Sequence, residues 1–197
     1  MRLPEELEAL DEQCFADSGL EKIVVPASVR DIGYSAFEDC KNLREVRFAP
    51  GSQLERVEHR VFAGSRLRAF AAPQALRYIG ENAFYNCASL QTVRLNEGLE
   101  EVGRLAFART GLREVRVPGS VRALHFSAFH LCHLDKLGLP ARLRPFRALG
   151  CFARVVEELV VPAEVEEIPD EAFKGQRLKS VVFAEGSRLK RIGRWAF

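Results

Sequence analysis

The chain has 197 residues, 47% hydrophobic and 28% charged, an ordinary soluble composition with length enough for one good-sized core. Its 29 lysines and arginines against 27 acids leave a net charge of +2, which argues against bulk attraction to nucleic acid or anionic membrane. No apolar run approaches the roughly 18 residues of a spanning helix, so no membrane insertion of this segment is expected.

Read in chain order, the sequence is a repeat. It opens on Met1-Arg2-Leu3-Pro4-Glu5-Glu6, acidic and without a signal peptide's apolar stretch, and Leu3-Pro4 matches the end of a strand. A phenylalanine after a small or apolar residue then recurs at Phe15, Phe37, Phe62, Phe84, Phe107, Phe129, Phe152, Phe173 and Phe197, at intervals of 21 to 25 residues. Five residues before it stands an aliphatic residue, as at Ile32, Val57, Ile79, Val102, Leu124, Ile168 and Ile192. Glycine follows at Gly33, Gly80, Gly103 and Gly193, where it suits a sharp turn. The residues leading into Ala-Phe read as one helical turn that drops both side chains inward. Beyond the phenylalanine comes an apolar pattern at i, i+3 and i+5, as in Leu20-Ile23-Val25, Leu43-Val46-Phe48, Leu90-Val93-Leu95, Leu112-Val115-Val117 and Leu178-Val181-Phe183. Its last two members alternate as in a strand. Proline ends the strand at Pro26, Pro73, Pro118, Pro140 and Pro162, and at Pro50 one residue later.

One such unit cannot bury its own apolar edges, and stacking the next unit covers them. The expected fold is therefore an α/β solenoid, a right-handed coil of about nine units, with a parallel sheet on one face and short strands and helical turns on the other. It should run as a single unit over residues 1–197, with no polar cap at either end. The seventh unit, where Pro145 intrudes and residues 146–152 carry an extra residue, should be a distorted coil.

The unit over residues 28–52, with Ile32-Gly33, Ala36-Phe37, Cys40 and Leu43-x-x-Val46, resembles the BspA-type leucine-rich repeat. The resemblance covers essentially the whole chain. It implies a non-enzymatic protein-binding scaffold, in a family whose members are often surface or secreted proteins that adhere to host proteins or other microbes. An intracellular scaffold using the same face is the alternative.

Cys40, Cys87 and Cys132 each lie three residues after the phenylalanine, in units two, four and six. Like positions two units apart should be about 10 Å from one another, too far for a disulfide. Cys14 and Cys151 occupy the small slot before the phenylalanine, so all five are expected as buried free thiols. His125, His130 and His133 cluster around Cys132, but in the repeat register they point different ways. A metal-dependent enzyme would need them to converge, so no metal, cofactor or catalysis is expected. Phosphate-loop and serine-hydrolase motifs do not occur.

The strand face offers the better candidate. Its outward residue reads Val24, Arg47, Ala71, Arg94, Arg116, Gly138, Val160 and Val182, unit by unit. One residue after the leading leucine, Arg44, Arg68 and Arg113 add to the same central units. Arg44, Arg47, Arg68, Arg94, Arg113 and Arg116 thus form a basic stripe suited to an acidic protein segment or glycan, since guanidinium binds carboxylates in two-point fashion. The plainer reading is a solubilising face, with Glu45 and Glu114 pairing across it.

Overall fold

The structure is a computed structural model and describes residues 1–125, 127–139, 158–168, 170, 172–173 and 178–197. Strands are numbered in chain order. One face of the coil holds the longer ones: β2 (Lys22–Val25), β4 (Glu45–Phe48), β6 (Ala69–Ala71), β8 (Thr92–Arg94), β10 (Glu114–Arg116), β12 (Lys136–Gly138), β13 (Glu158–Val161) and β15 (Ser180–Phe183). A second face holds two-residue strands: β1 (Ala9–Leu10), β3 (Asp31–Ile32), β5 (Arg56–Val57), β7 (Tyr78–Ile79), β9 (Glu101–Val102), β11 (Ala123–Leu124), β14 (Glu167–Ile168) and β16 (Arg191–Ile192).

Every pairing is parallel and joins like positions of neighbouring units: Ile23 with Val46, Phe70 with Val93, Val115 with Leu137, Leu137 with Leu159, Leu159 with Val181. The aliphatic residues five before each phenylalanine are the buried members of the short strands, as in Val57 with Ile79 and Ile79 with Val102. Alternation then does the rest, with one side chain inward and the next outward.

Between the two strand faces lies a third ladder, and here the expected helical turn is absent. No helix occurs among the described residues. The residue two before the phenylalanine has a left-handed backbone, with φ of 55° at Ser35, 56° at Asn82 and 53° at Leu105. So does the residue two after it, at Asp39 (54°), Asn86 (58°) and Arg109 (57°). Left-handed residues break a right-handed helix and turn alternate amides along the solenoid axis instead. The amides of Ser35, Phe37 and Asp39 accordingly donate to the carbonyls of His59, Val61 and Ala63 on the next turn, at 3.0, 2.8 and 2.7 Å. Gln13, Phe15 and Asp17 do the same to Tyr34, Ala36 and Glu38.

The phenylalanines stack directly over one another inside this ladder. Successive ring centroids are 5.3, 5.5, 5.4, 5.0 and 5.5 Å apart from Phe15 through Phe129. Phe37, Phe62, Phe84 and Phe107 are fully buried, and one cluster of buried residues runs from Leu10 to Ala196. Burying each such ring stabilises by about 1.5–3 kcal/mol relative to leaving it exposed.

Three readings of the sequence change. The described residues make about seven turns and not nine units, the unit around Phe152 lying outside them. The distortion expected near Pro145, and the placement of Cys151, lie outside them as well. The glycines after the aliphatic residue serve close packing more than turning: a Cβ on Gly33 would stand 2.6 Å from the Glu12 nitrogen, and one on Gly80 2.8 Å from the Glu58 carbonyl carbon. Finally, Cys14 is exposed and not buried.

Candidate interaction face

The long strands, in three parallel sheets that follow one another along the coil, carry the basic residues outward. Arg47 sits beside Val24, Arg94 beside Ala71 and Arg116 beside Gly138. The second row is joined through backbone bonds, with the Arg44 amide donating to the Glu21 carbonyl, Arg68 to Arg44 and Gln91 to Arg68. Arg44, Arg47, Arg68, Arg94, Arg113 and Arg116 are all exposed. The structure thus brings all six onto one face over four consecutive turns.

They differ in how far they are already neutralised. Arg47 is ion-paired to Glu45, which also takes Lys22 at 3.3 Å. Hydrogen bonds from Lys22 and then Arg47 hold the Glu45 carboxyl below its usual range, so it stays ionised and blunts that end of the stripe. Arg113 reaches Asp135 at 3.4 Å. Among the described residues, Arg44, Arg68, Arg94 and Arg116 make no ion pair.

The short-strand face is built differently. Several charges beside its strands are matched across neighbouring turns or along one: Arg77 with Glu100 at 3.4 Å, Arg104 with Glu81 at 3.2 Å and Arg56 with Glu58 at 2.5 Å, while Arg60 pairs with Glu38 on the turn ladder. Arg56 also lies 4.0 Å over the Tyr78 ring. Internal pairing, the plainer reading of the long-strand face, thus occurs on both faces, on the long one at Lys22, Glu45 and Arg47 and at Arg113 and Asp135.

The thiols are part of the core. Cys40 donates to the Phe15 carbonyl at 3.0 Å and lies 3.3 Å from the Ser18 hydroxyl; Cys87 does the same with Phe62 and Ser65, and Cys132 with Phe107 and Thr110. Serine or threonine in odd turns therefore alternates with cysteine in even turns down one slot. Burial pushes the Cys87 thiol up to about 11 and raises Cys132 as well, which keeps both as unreactive thiols. Near Cys132, His125 bonds the Ser127 hydroxyl at 2.9 Å while the Cys132 sulfur points into the core. Among the described residues no three potential ligands converge on a common point, and no helix is long and apolar enough to cross a membrane.

A parallel stack of short strands and turns, closed over a phenylalanine column and presenting one open face of longer strands, defines a leucine-rich-repeat solenoid. The BspA type Leucine rich repeat region matches in six copies over residues 8–136 and 149–197, and the chain belongs to that family. Comparison with curated proteins gave no match. Among solved structures, the pneumococcal vaccine antigen PcpA aligns over the whole chain at 23% identity and a TM-score of 0.65, and the chain spans 57% of its length. The T. pallidum leucine-rich repeat protein TpLRR is 29% identical with a TM-score of 0.65, over 79% of this chain and 71% of that one. A leucine-rich cell surface protein from Faecalibacterium prausnitzii aligns over the whole chain and 65% of its own, at 17% identity and a TM-score of 0.52. Solenoids of this family are typically non-enzymatic and act as protein-interaction scaffolds.

Proposed function

We propose that this chain is a non-catalytic recognition module that holds an acidic protein segment against its long-strand face. The observation that carries the reading is the contrast between its two strand faces. Beside the short strands Arg56, Arg77 and Arg104 are paired with acids of the array, while the long-strand face leaves Arg44, Arg68, Arg94 and Arg116 without acidic partners. Unpaired guanidinium groups on a rigid surface are preorganised to take carboxylates. The absence of a charge excess in the whole chain makes this a local device and not a general polycation.

The test is fluorescence anisotropy with a labelled glutamate-rich peptide, comparing the native protein with the Arg47→Glu/Arg94→Glu/Arg116→Glu variant. All three side chains point outward, so circular dichroism should be unchanged while affinity falls at least tenfold. Arg77→Glu/Arg104→Glu on the other strand face should leave affinity within about twofold, since surface changes remote from a site couple weakly to it. Equal affinity of native and triple variant would remove the strand face as the site.

The same reading places the module at a cell surface. Support comes from the family, and from fold relatives described as a vaccine antigen and as a cell surface protein. Antibody labelling of intact cells that make the protein tests this; labelling only after lysis would favour the intracellular scaffold.

A further inference from the structure

The long-strand face is not uniform, and its third turn differs from its neighbours. There both outward positions of the strand are alanine, Ala69 and Ala71, and both are exposed. The turn before has Glu45 and Arg47 at these positions, and the turn after has Thr92 and Arg94. Two small side chains between two pairs of larger ones leave a notch. A depression of about 600 Å³ lies over it, reaching Arg44, Arg68 and Arg94. A second depression, of about 870 Å³, continues from Ala71 past the strand ends and is lined by Phe48, Ala49, Pro50, Ala72 and Pro73. The two share Val46, Arg47 and Ala71, so they form one groove. One half carries Arg44, Arg68 and Arg94 together with the Glu45 carboxylate; the other, along Phe48, Pro50 and Ala72, is apolar but for Arg47, Ser52 and Gln74.

The apolar half has a cause in the sequence. The second repeat is 25 residues long, and its added residues build the bend Ala49-Pro50-Gly51-Ser52, with Gly51 at a φ of 77°. That bend stands as a wall beside the shorter third turn. Its floor is firm, because Phe48 and Phe70 meet edge to face at 6.0 Å and Phe70 is buried.

We propose that this groove gives the strand face its sequence specificity: it takes an extended acidic peptide with one apolar side chain among its carboxylates. The carboxylates meet Arg44, Arg68 and Arg94, and the apolar side chain seats against Phe48, Ala71 and Ala72. This rests on the acidic-segment reading above and sharpens it from a charge to a motif. Charge complementarity selects the partner class, and the open, two-part shape selects a chain segment over a compact small molecule.

The experiment measures two labelled peptides of equal length and charge against the intact protein, both glutamate-rich, one with a central leucine and one with a central serine. The leucine peptide should bind about tenfold more tightly, as expected for burying one aliphatic side chain. Ala71→Arg fills the notch while adding positive charge. In that variant the leucine advantage should vanish while the serine peptide binds at least as well. Equal binding of both peptides to the native protein would overturn the groove and leave the basic stripe standing. Failure of both peptides at low salt would overturn the stripe as well. Heparin displacing both peptides, with an affinity that Ala71→Arg leaves undiminished, would overturn a peptide in favour of an acidic glycan.

Discussion

At the scale of the residue, the chain uses polar groups to tie one turn to the next. Glu38 accepts hydrogen bonds from the Arg60 guanidinium on the following turn, and that contact, ahead of the opposing effect of burial, holds its carboxyl below the usual range. A carboxylate whose folded value is depressed adds stability above its ordinary value, and that gain is lost as pH falls through the folded value. Glu38→Gln should therefore lower stability at pH 7, by under about 1 kcal/mol because the pair is partly exposed. Urea unfolding should show the gap to the native protein closing on the acid side; a gap that widens there would contradict the assignment. This pairing was not legible in the sequence, because it depends on which residues of adjacent turns share an edge. The cysteine slot was half legible. Its period-two recurrence at Cys40, Cys87 and Cys132 stood out, whereas its partners Ser18, Ser65 and Thr110 only make sense once the carbonyls of Phe15, Phe62 and Phe107 are seen to bridge the turns.

At the scale of the element, the phenylalanine column is the part that the spacing declared most directly. Phe107 is fully buried between Phe84 at 5.0 Å and Phe129 at 5.5 Å, so its truncation removes contacts on both sides at once. Phe107→Ala should cost about 3–5 kcal/mol, read as a shift of the denaturant midpoint without loss of the remaining repeat structure. A cost near zero would mean that the turns can collapse onto the gap. The connecting turn was misread as helical for an identifiable reason. Its local bonds, such as Ala36 to Gly33 and Glu38 to Ser35, span three residues and mimic a helical period. What distinguishes it is the left-handed backbone at Ser35, Leu105 and Trp195, residue types that give no such signal. The basic stripe was legible because alternation and stacking dictate it. The groove was not, because it depends on two adjacent alanines and a longer bend coming together across turns.

At the scale of the molecule, the continuous core makes a statement about cooperativity that the thiols can report. Cys40, Cys87 and Cys132 sample the array at every second turn, and all three are fully buried. In a Cys151→Ser background, a thiol reagent under native conditions should modify exposed Cys14 at once and the three core thiols slowly. Equal rates at the three are expected if the stack opens as one unit, and markedly faster labelling of Cys132 than of Cys40 would show it opening from one end. The turn ladder has another consequence. In the second turn, the carbonyls of Tyr34, Ala36 and Glu38 face back along the stack while the amides of Ser35, Phe37 and Asp39 face forward. Three aligned peptide dipoles of about 3.5 D for every advance of about 4.8 Å nearly match the one per 1.5 Å or so of an α-helix. The strand edges run the other way: the amides of Arg30, Gly33 and Arg44 donate back to the carbonyls of Glu8, Leu10 and Glu21 on the preceding turn, so the two sets of dipoles oppose each other along the axis. The coil thus cancels within each turn the axial dipole that an α-helix accumulates along its length.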